Sequence, residues 1–180
     1  MKTFSDEKLA DLFTIDRDVA AYNELYSRYF PILVKFGIWK CSNVDMAKDA
    51  AQHVLIKFFE NPESFNSSRI FKPWIFTLIA NHFKNNWRNE ANRHRLNQNL
   101  LDVPEDNNEE FDYKHRLEKI NQALSQLKDS HKEIFLLKYS SNLSIKEISN
   151  TLNISEGTVK SRLFYSIQNI RKNIKEYENG

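Results

Sequence analysis

An all-α fold is predicted, made of two small helical domains joined by a flexible acidic linker. Three observations carry that reading. Only 3 glycines and 4 prolines punctuate 180 residues, so turn formers are scarce and long helices are favoured. Apolar residues recur at three- and four-residue steps on both sides of a single gap, the period of one helix face. The gap itself, residues 96–113, has no sustained period. It carries Asp102, Glu105, Asp106, Glu109, Glu110 and Asp112 without a lysine or arginine, the composition of a solvated spacer. The expected domains are therefore residues 1–95 and 114–180.

The elements follow in order. Ser5 is placed to cap a first short helix whose apolar face is Leu9, Leu12 and Phe13. From Val19 to about Lys40, the positions Tyr22, Leu25, Tyr26, Tyr29, Phe30, Leu33 and Phe36 keep helical spacing, with Pro31 a site for a kink. Asp45 is the expected cap of a third helix running to about Phe59, with Val54, Leu55, Phe58 and Phe59 turned inward. Asn61-Pro62-Glu63-Ser64 breaks the pattern, and Asn66, Ser67 and Ser68 extend the loop. A fourth helix is expected from Lys72 or Pro73 through Trp74, Ile75, Leu78, Ile79 and Phe83 towards Arg93. Beyond the spacer, periodicity resumes at Leu117, Ile120, Leu124 and Leu127. Ser130 and Glu133 have the spacing of a capping box, as do Ser144 and Glu147, and Ser155 is the expected cap of the last helix. That makes four helices in the C-terminal part.

Charge and composition narrow the class. The chain is 41% hydrophobic and 28% charged, ordinary for a globular protein. The single Cys41 offers no disulfide framework, which fits a reducing compartment such as the cytoplasm. The start MKTFSDEKLADLF lacks the apolar run of a signal peptide, and no stretch approaches a membrane span. Net charge is only +2, but residues 72–95 net +4, residues 96–113 net −6 and residues 114–180 net +5. Two basic regions around an acidic spacer suit two surfaces for a polyanion. Ordinary surface variation would give a similar tally, so charge alone does not decide.

The sharpest local signal is Ser144 to Leu163, SIKEISNTLNISEGTVKSRL. A short helix carrying Ile145, Ile148 and Leu152 precedes the brief turn Asn153-Ile154, and a capped helix then presents Val159 and Leu163 inward. This is a helix-turn-helix, in which two helices clamp through apolar faces and the second can lie in a major groove. Ser155, Glu156, Thr158, Lys160, Ser161, Arg162 and Tyr165 are the residues left to face DNA. Gly157 removes a side chain in the first turn, where backbone can approach a phosphate held by free helix N–H groups. A helical hairpin that packs and binds nothing is the plain alternative.

The stretch from Leu124 to Leu163, with Ile167, Ile170 and Arg171 beyond it, resembles region 4 of the sigma-70 family. The N-terminal part resembles region 2 of the same family. Tyr22–Leu33 looks like its first segment, and Ala47-Lys48-Asp49-Ala50-Ala51-Gln52-His53-Val54 like the segment that binds the polymerase clamp. Phe71, Trp74, Ile75 and Asn81 fit the helix that melts and holds the −10 element, and the loop from Glu60 to Arg69 resembles the one that receives a flipped −10 base. Without a long amino-terminal extension or a middle domain, the layout is similar to the extracytoplasmic-function (ECF) subgroup. The resemblance implies a protein that binds core RNA polymerase, directs it to promoters and helps melt the −10 region. It implies −35 contacts from the recognition helix and −10 contacts from Lys72, Trp74, Asn81, Lys84, Asn85, Trp87 and Arg88. It assigns polymerase contacts to Asp45, Asp49, Gln52 and His53. Many relatives are held by an anti-sigma factor, which makes such a partner an expectation here. The chain departs from the family at Lys48 and His53, where the clamp segment is usually acidic. It departs again at Asn85 in place of a common Asp, and at Ser149 in place of a common Ala.

Other readings stay open at this level. A conventional helix-turn-helix regulator would use the last domain alone, with residues 1–95 as a sensor or dimerisation domain. A nucleic-acid-processing enzyme would need catalytic residues that the sequence does not offer. No Gly-rich phosphate loop or nucleophile elbow is present, and His53, His82, His94, His115, His131 and Cys41 have no metal-ligand spacing. No cofactor, metal, small-molecule substrate or membrane insertion is expected. Trp74 sits at helical spacing and is as readily a core residue as a stacking platform for an unpaired base, whereas Trp87, among Asn85, Asn86 and Arg88, favours exposure.

Overall fold

The computed structural model describes residues 3–90 and 122–178, with side chains over 3–85 and 122–173. Every regular element among the described residues is helical, and they divide into two compact units. The expected spacer, Leu117 and Ile120, and the expected continuation of the fourth helix to Arg93 lie outside the described residues.

In the first unit, α1 spans Asp6–Asp16 and α2 spans Val19–Cys41. Ser5 caps α1, its Oγ accepting from the Lys8 amide, and Asp18 caps α2 by accepting from the amides of Ala20 and Ala21. Arg17, at φ 54°, makes the tight corner between them. The second helix runs on through the exposed Pro31. Ser42 then takes a left-handed conformation at φ 55°, and α3 spans Val44–Glu60. The cap of α3 is Asn43, whose Oδ1 accepts from the Met46 amide. Asp45 therefore falls inside the first turn rather than at the cap: Asn43 has the extended backbone a cap requires, and the helix has already begun at Val44. A one-turn 3₁₀ helix, Pro62–Ser64, leads into the loop before α4, which spans Phe71–Glu90.

The core of this unit is aromatic. Phe58 is fully buried, with its ring centroid 5.4 Å from Phe13, 5.2 Å from Phe71 and 5.4 Å from Trp74. Phe59, expected inside, is 43% exposed, although its ring lies against Phe13 and Tyr22. It sits one residue from the end of α3, where the neighbouring helices cover only one of its sides. The helices α2 and α3 meet closely at Gly37, where a Cβ would stand 2.8 Å from the Cβ of Ala47. Tyr22 buries its hydroxyl and donates it to the Leu55 carbonyl at 3.2 Å; burial first, and then Tyr26, push its pKa up to about 12.

In the second unit, residues 122–125 are helical and precede α5 at Asp129–Tyr139, α6 at Ile145–Leu152 and α7 at Glu156–Glu178. The expected capping box at Ser130 does not form. The helix starts two residues earlier, at Asp129, Lys128 takes the cap position without a side-chain bond, and the Ser130 hydroxyl lies 3.4 Å from Nδ1 of His131. Ile134, Leu136, Leu137, Leu143, Ile148 and Val159 are all buried.

Candidate nucleic-acid interface

The helix-turn-helix is locked by local bonds at each end. The Ser144 amide donates to Glu147 Oε2 at 2.7 Å and the Glu147 amide donates to Ser144 Oγ at 3.2 Å, so this capping box closes reciprocally. Ser155 caps α7, its Oγ accepting from the Thr158 amide at 3.1 Å and pairing with the Thr158 hydroxyl at 2.8 Å. The turn between α6 and α7 pivots on Asn153 at φ 52°, a conformation Asn tolerates better than most residues. Ser149 closes the turn twice: its carbonyl accepts from the Ile154 amide at 3.1 Å, and its hydroxyl donates to the Ile154 carbonyl at 2.5 Å. The small-for-small departure at Ser149 thus adds a bond that alanine cannot make.

Val159 is fully buried and Leu163 nearly so. Ser166 is buried on the same stripe, donating to the Arg162 carbonyl at 2.7 Å and lying 3.3 Å from the His131 carbonyl. Glu156, Gly157, Lys160, Ser161 and Tyr165 are exposed, while Thr158 and Arg162 are half-buried. The Arg162 charge acts on His131 of α5. Burial first, and then the charges of Arg162 and Lys128, hold that imidazole below its ordinary pKa. One outward residue escaped the sequence reading. Phe164 is 57% exposed, its ring edge-on to Tyr165 at 5.7 Å, and it lies directly beside the inward Leu163. Helical phase alone would have found it.

On α4, the buried stripe is Phe71, Ile75, Phe76, Ile79, Ala80 and Phe83. Asn81, Lys84 and Asn85 are exposed and share one side of the helix with Trp74 by their spacing. The Trp74 ring is half-buried, at 5.1–5.5 Å from the rings of Phe58, Phe65 and Phe71, so its body is packing and only part of it is open to a partner. Lys72 does not join that side. It is half-buried in register with Ile75, Ile79 and Phe83. The side chains of Trp87 and Arg88 lie outside those described, although the helix backbone reaches them.

On α3, Asp45, Asp49, Gln52 and His53 are all exposed along one flank, with Lys48 beside them and Ile56, 50% exposed, continuing it. The His53 ring lies 4.7 Å from that of His82 on α4, tilted at 44°. Burial, followed by the charges of His53 and Lys57, lowers the His82 pKa below its ordinary value. No group of three or more potential metal ligands occurs among the described residues, and no described helix is long and apolar enough to cross a membrane.

The loop between α3 and α4 is held at both ends by buried aromatics. Phe65 and Phe71 are 3% and 0% exposed, with centroids 5.2 Å apart. Between them, Asn66, Ser67, Ser68, Arg69 and Ile70 are exposed. The Asn66 side chain accepts from the Ser68 amide at 2.9 Å, and its carbonyl accepts from the Arg69 amide at 2.8 Å.

Similarity to known proteins runs in order along the chain. The family model "Sigma-70 region 2" matches residues 25–93, and "Sigma-70, region 4" matches residues 117–167. The ECF RNA polymerase sigma factor SigL of Mycobacterium tuberculosis is 25% identical over 162 residues, covering 88% of this chain and 92% of its own. SigW of Bacillus subtilis, also an ECF RNA polymerase sigma factor, is 26% identical over 174 residues, with 88% and 91% covered. The structure of the sigma factor RpoE in complex with the anti-sigma factor NepR from Bartonella quintana matches with a TM-score of 0.75 at 22% identity. It covers 86% of this chain and 96% of that one, which shows the shared fold. The chain belongs to the sigma-70 family, within its ECF subgroup: it is a sigma factor, directing RNA polymerase to promoters.

Proposed function

We propose that the division of labour within this sigma factor follows its two units. Residues 1–95 bind core polymerase and the −10 element, residues 114–180 read the −35 element, and the acidic stretch 96–113 links them. The observation that carries the proposal is the pairing of a doubly capped helix-turn-helix with a separate helical unit bearing two polar flanks, on α3 and α4. On α7, the exposed Lys160 and Ser161 and the half-buried Arg162 are placed for phosphate and base-edge contacts. On α4, Asn81, Lys84 and Asn85 suit a melted strand, with the open part of Trp74 for stacking. On α3, Asp45, Asp49, Gln52 and His53 form the polymerase-facing flank.

The chain acts as a binding and melting factor and performs no catalysis itself, and its place of action is the cytoplasm, where the polymerase works. The relative solved with the anti-sigma factor NepR supports a partner of that kind for this chain. The polymerase assignment is tested by Asp49→Lys. Because the residue is exposed, the fold should survive, while affinity for core polymerase falls by about tenfold or more as an attractive contact becomes repulsive. Unchanged affinity in a binding titration would move the polymerase contact off this flank.

A further inference from the structure

The first helix lies ahead of the matched region-2 segment, which begins at residue 25. Its polar residues nevertheless converge on the loop before α4. Glu7, half-buried, accepts through Oε1 from the Phe71 amide at 3.2 Å, capping the first residue of α4 from 64 positions away in sequence. Thr14 donates through Oγ1 to the Pro62 carbonyl at 3.4 Å. Arg17 donates to the Phe59 carbonyl at 3.4 Å and stands 3.7 Å from the Glu63 carboxylate. The start of the same helix is itself fixed. Asp6 accepts from the Tyr29 hydroxyl at 2.5 Å and from Arg28 at 2.8 Å, and Arg28 is held in turn by Glu24 at 2.8 Å. Burial, and then the bond to Asp6, raise the Tyr29 pKa well above its ordinary value, so that phenol keeps its proton.

We propose that α1 is a brace for the −10-reading loop and that Glu7 is its principal positioning residue. This rests on the reading that the loop from Glu60 to Arg69 and the outward side of α4 receive the melted −10 strand. The loop emerges from Phe65 and re-enters at Phe71, both buried, so its exit direction depends on where the first turn of α4 is pinned. A carboxylate bonded to the Phe71 amide pins it. It satisfies one of the donors that a helix start leaves open and favours the positive end of the helix dipole. Thr14 of α1 and Arg17, which caps its C-terminus, bond the Pro62 and Phe59 carbonyls at the start of the same segment, so it is held at both ends from α1 and its cap.

The test uses the full chain as holoenzyme with core polymerase on a promoter, scoring unpaired thymines by permanganate reactivity. Glu7→Ala should leave core affinity within about twofold and cut open-complex formation about fivefold, the size of a lost helix cap. Glu7→Gln keeps an oxygen acceptor and should restore most of the signal. On a template already unpaired across the −10 region, the Glu7→Ala defect should persist for binding of the non-template strand. If Glu7→Ala lowers the melting temperature but forms open complexes like wild type below that temperature, the carboxylate is structural only and the proposal fails. The companion variants Asn66→Ala and Arg69→Ala separate the two levels. If they too leave open complexes unchanged, the loop is not the −10 reader and the underlying reading fails. If they impair melting while Glu7→Ala does not, the brace alone is refuted.

Discussion

Replacing Phe58 by alanine is expected to cost the first unit about 3–5 kcal/mol, because a fully buried aromatic leaves a cavity that its neighbours fill only in part. Phe58 touches the rings of Phe13, Tyr22, Phe65, Phe71 and Trp74, which come from α1, α2, the loop and α4. One side chain thus joins the helix assigned to polymerase with the helix assigned to melted DNA. A domain of this size is stable by only about 5–15 kcal/mol, so the loss takes a large share of the total. Thermal unfolding followed by circular dichroism should show the transition of this unit lowered by at least about 12 °C. A shift of only a few degrees would mean that the aromatic cluster is not the centre of the core. Polymerase binding at growth temperature should fall with the folded fraction, whereas Asp49→Lys should reduce binding without moving the transition.

Arg162→Ala and Lys160→Ala are expected to act on DNA reading rather than on folding. Lys160 is exposed and Arg162 half-buried, and neither belongs to the Val159 and Leu163 stripe that holds α7 to the unit. An arginine that contacts a base edge should cost about 1–3 kcal/mol on removal and relax preference at one position. A phosphate-contacting lysine should weaken all sequences alike and reduce the salt dependence of binding. The charge effect of Arg162 on His131 adds a second readout. With the guanidinium gone, the His131 imidazole should titrate at higher pH by nuclear magnetic resonance, because one of the charges holding it down is removed. Transcription from a randomised −35 library should show the loss in preference, and core binding should be unchanged. If both variants are folded and keep wild-type activity and preference, α7 does not read the −35 element in this way.

Local, periodic features were legible in the sequence. Helix identities, the caps at Ser5, Ser144 and Ser155, and the inward Val159 and Leu163 depend on residues within a turn of one another. Where two cap-capable residues stood close together, sequence alone chose wrongly. Asn43 rather than Asp45 caps α3, because the left-handed Ser42 fixes where the chain turns in. Ser130 loses its role because α5 begins before it. Phe59 fits the inward period of α3, yet the helix ends too soon for neighbours to cover it. Lys72 looked like one more cation on a basic helix, but the phase of α4 sets it apart from Asn81, Lys84 and Asn85. The bonds from Glu7 to Phe71 and from Thr14 to Pro62 span 64 and 48 residues, and no local pattern announces them.

The most direct test of the whole account is transcription in vitro with purified core polymerase, a library of promoter fragments and this chain as the only initiation factor. Transcripts should require the chain, with mapped start sites lying downstream of a shared −35 and −10 pair. Arg162→Ala should broaden the −35 preference and Glu7→Ala should depress melting at the −10. Start sites no different from those of core polymerase alone, together with tight dimeric binding of the free chain to a palindromic duplex, would contradict it and make the chain a conventional helix-turn-helix regulator.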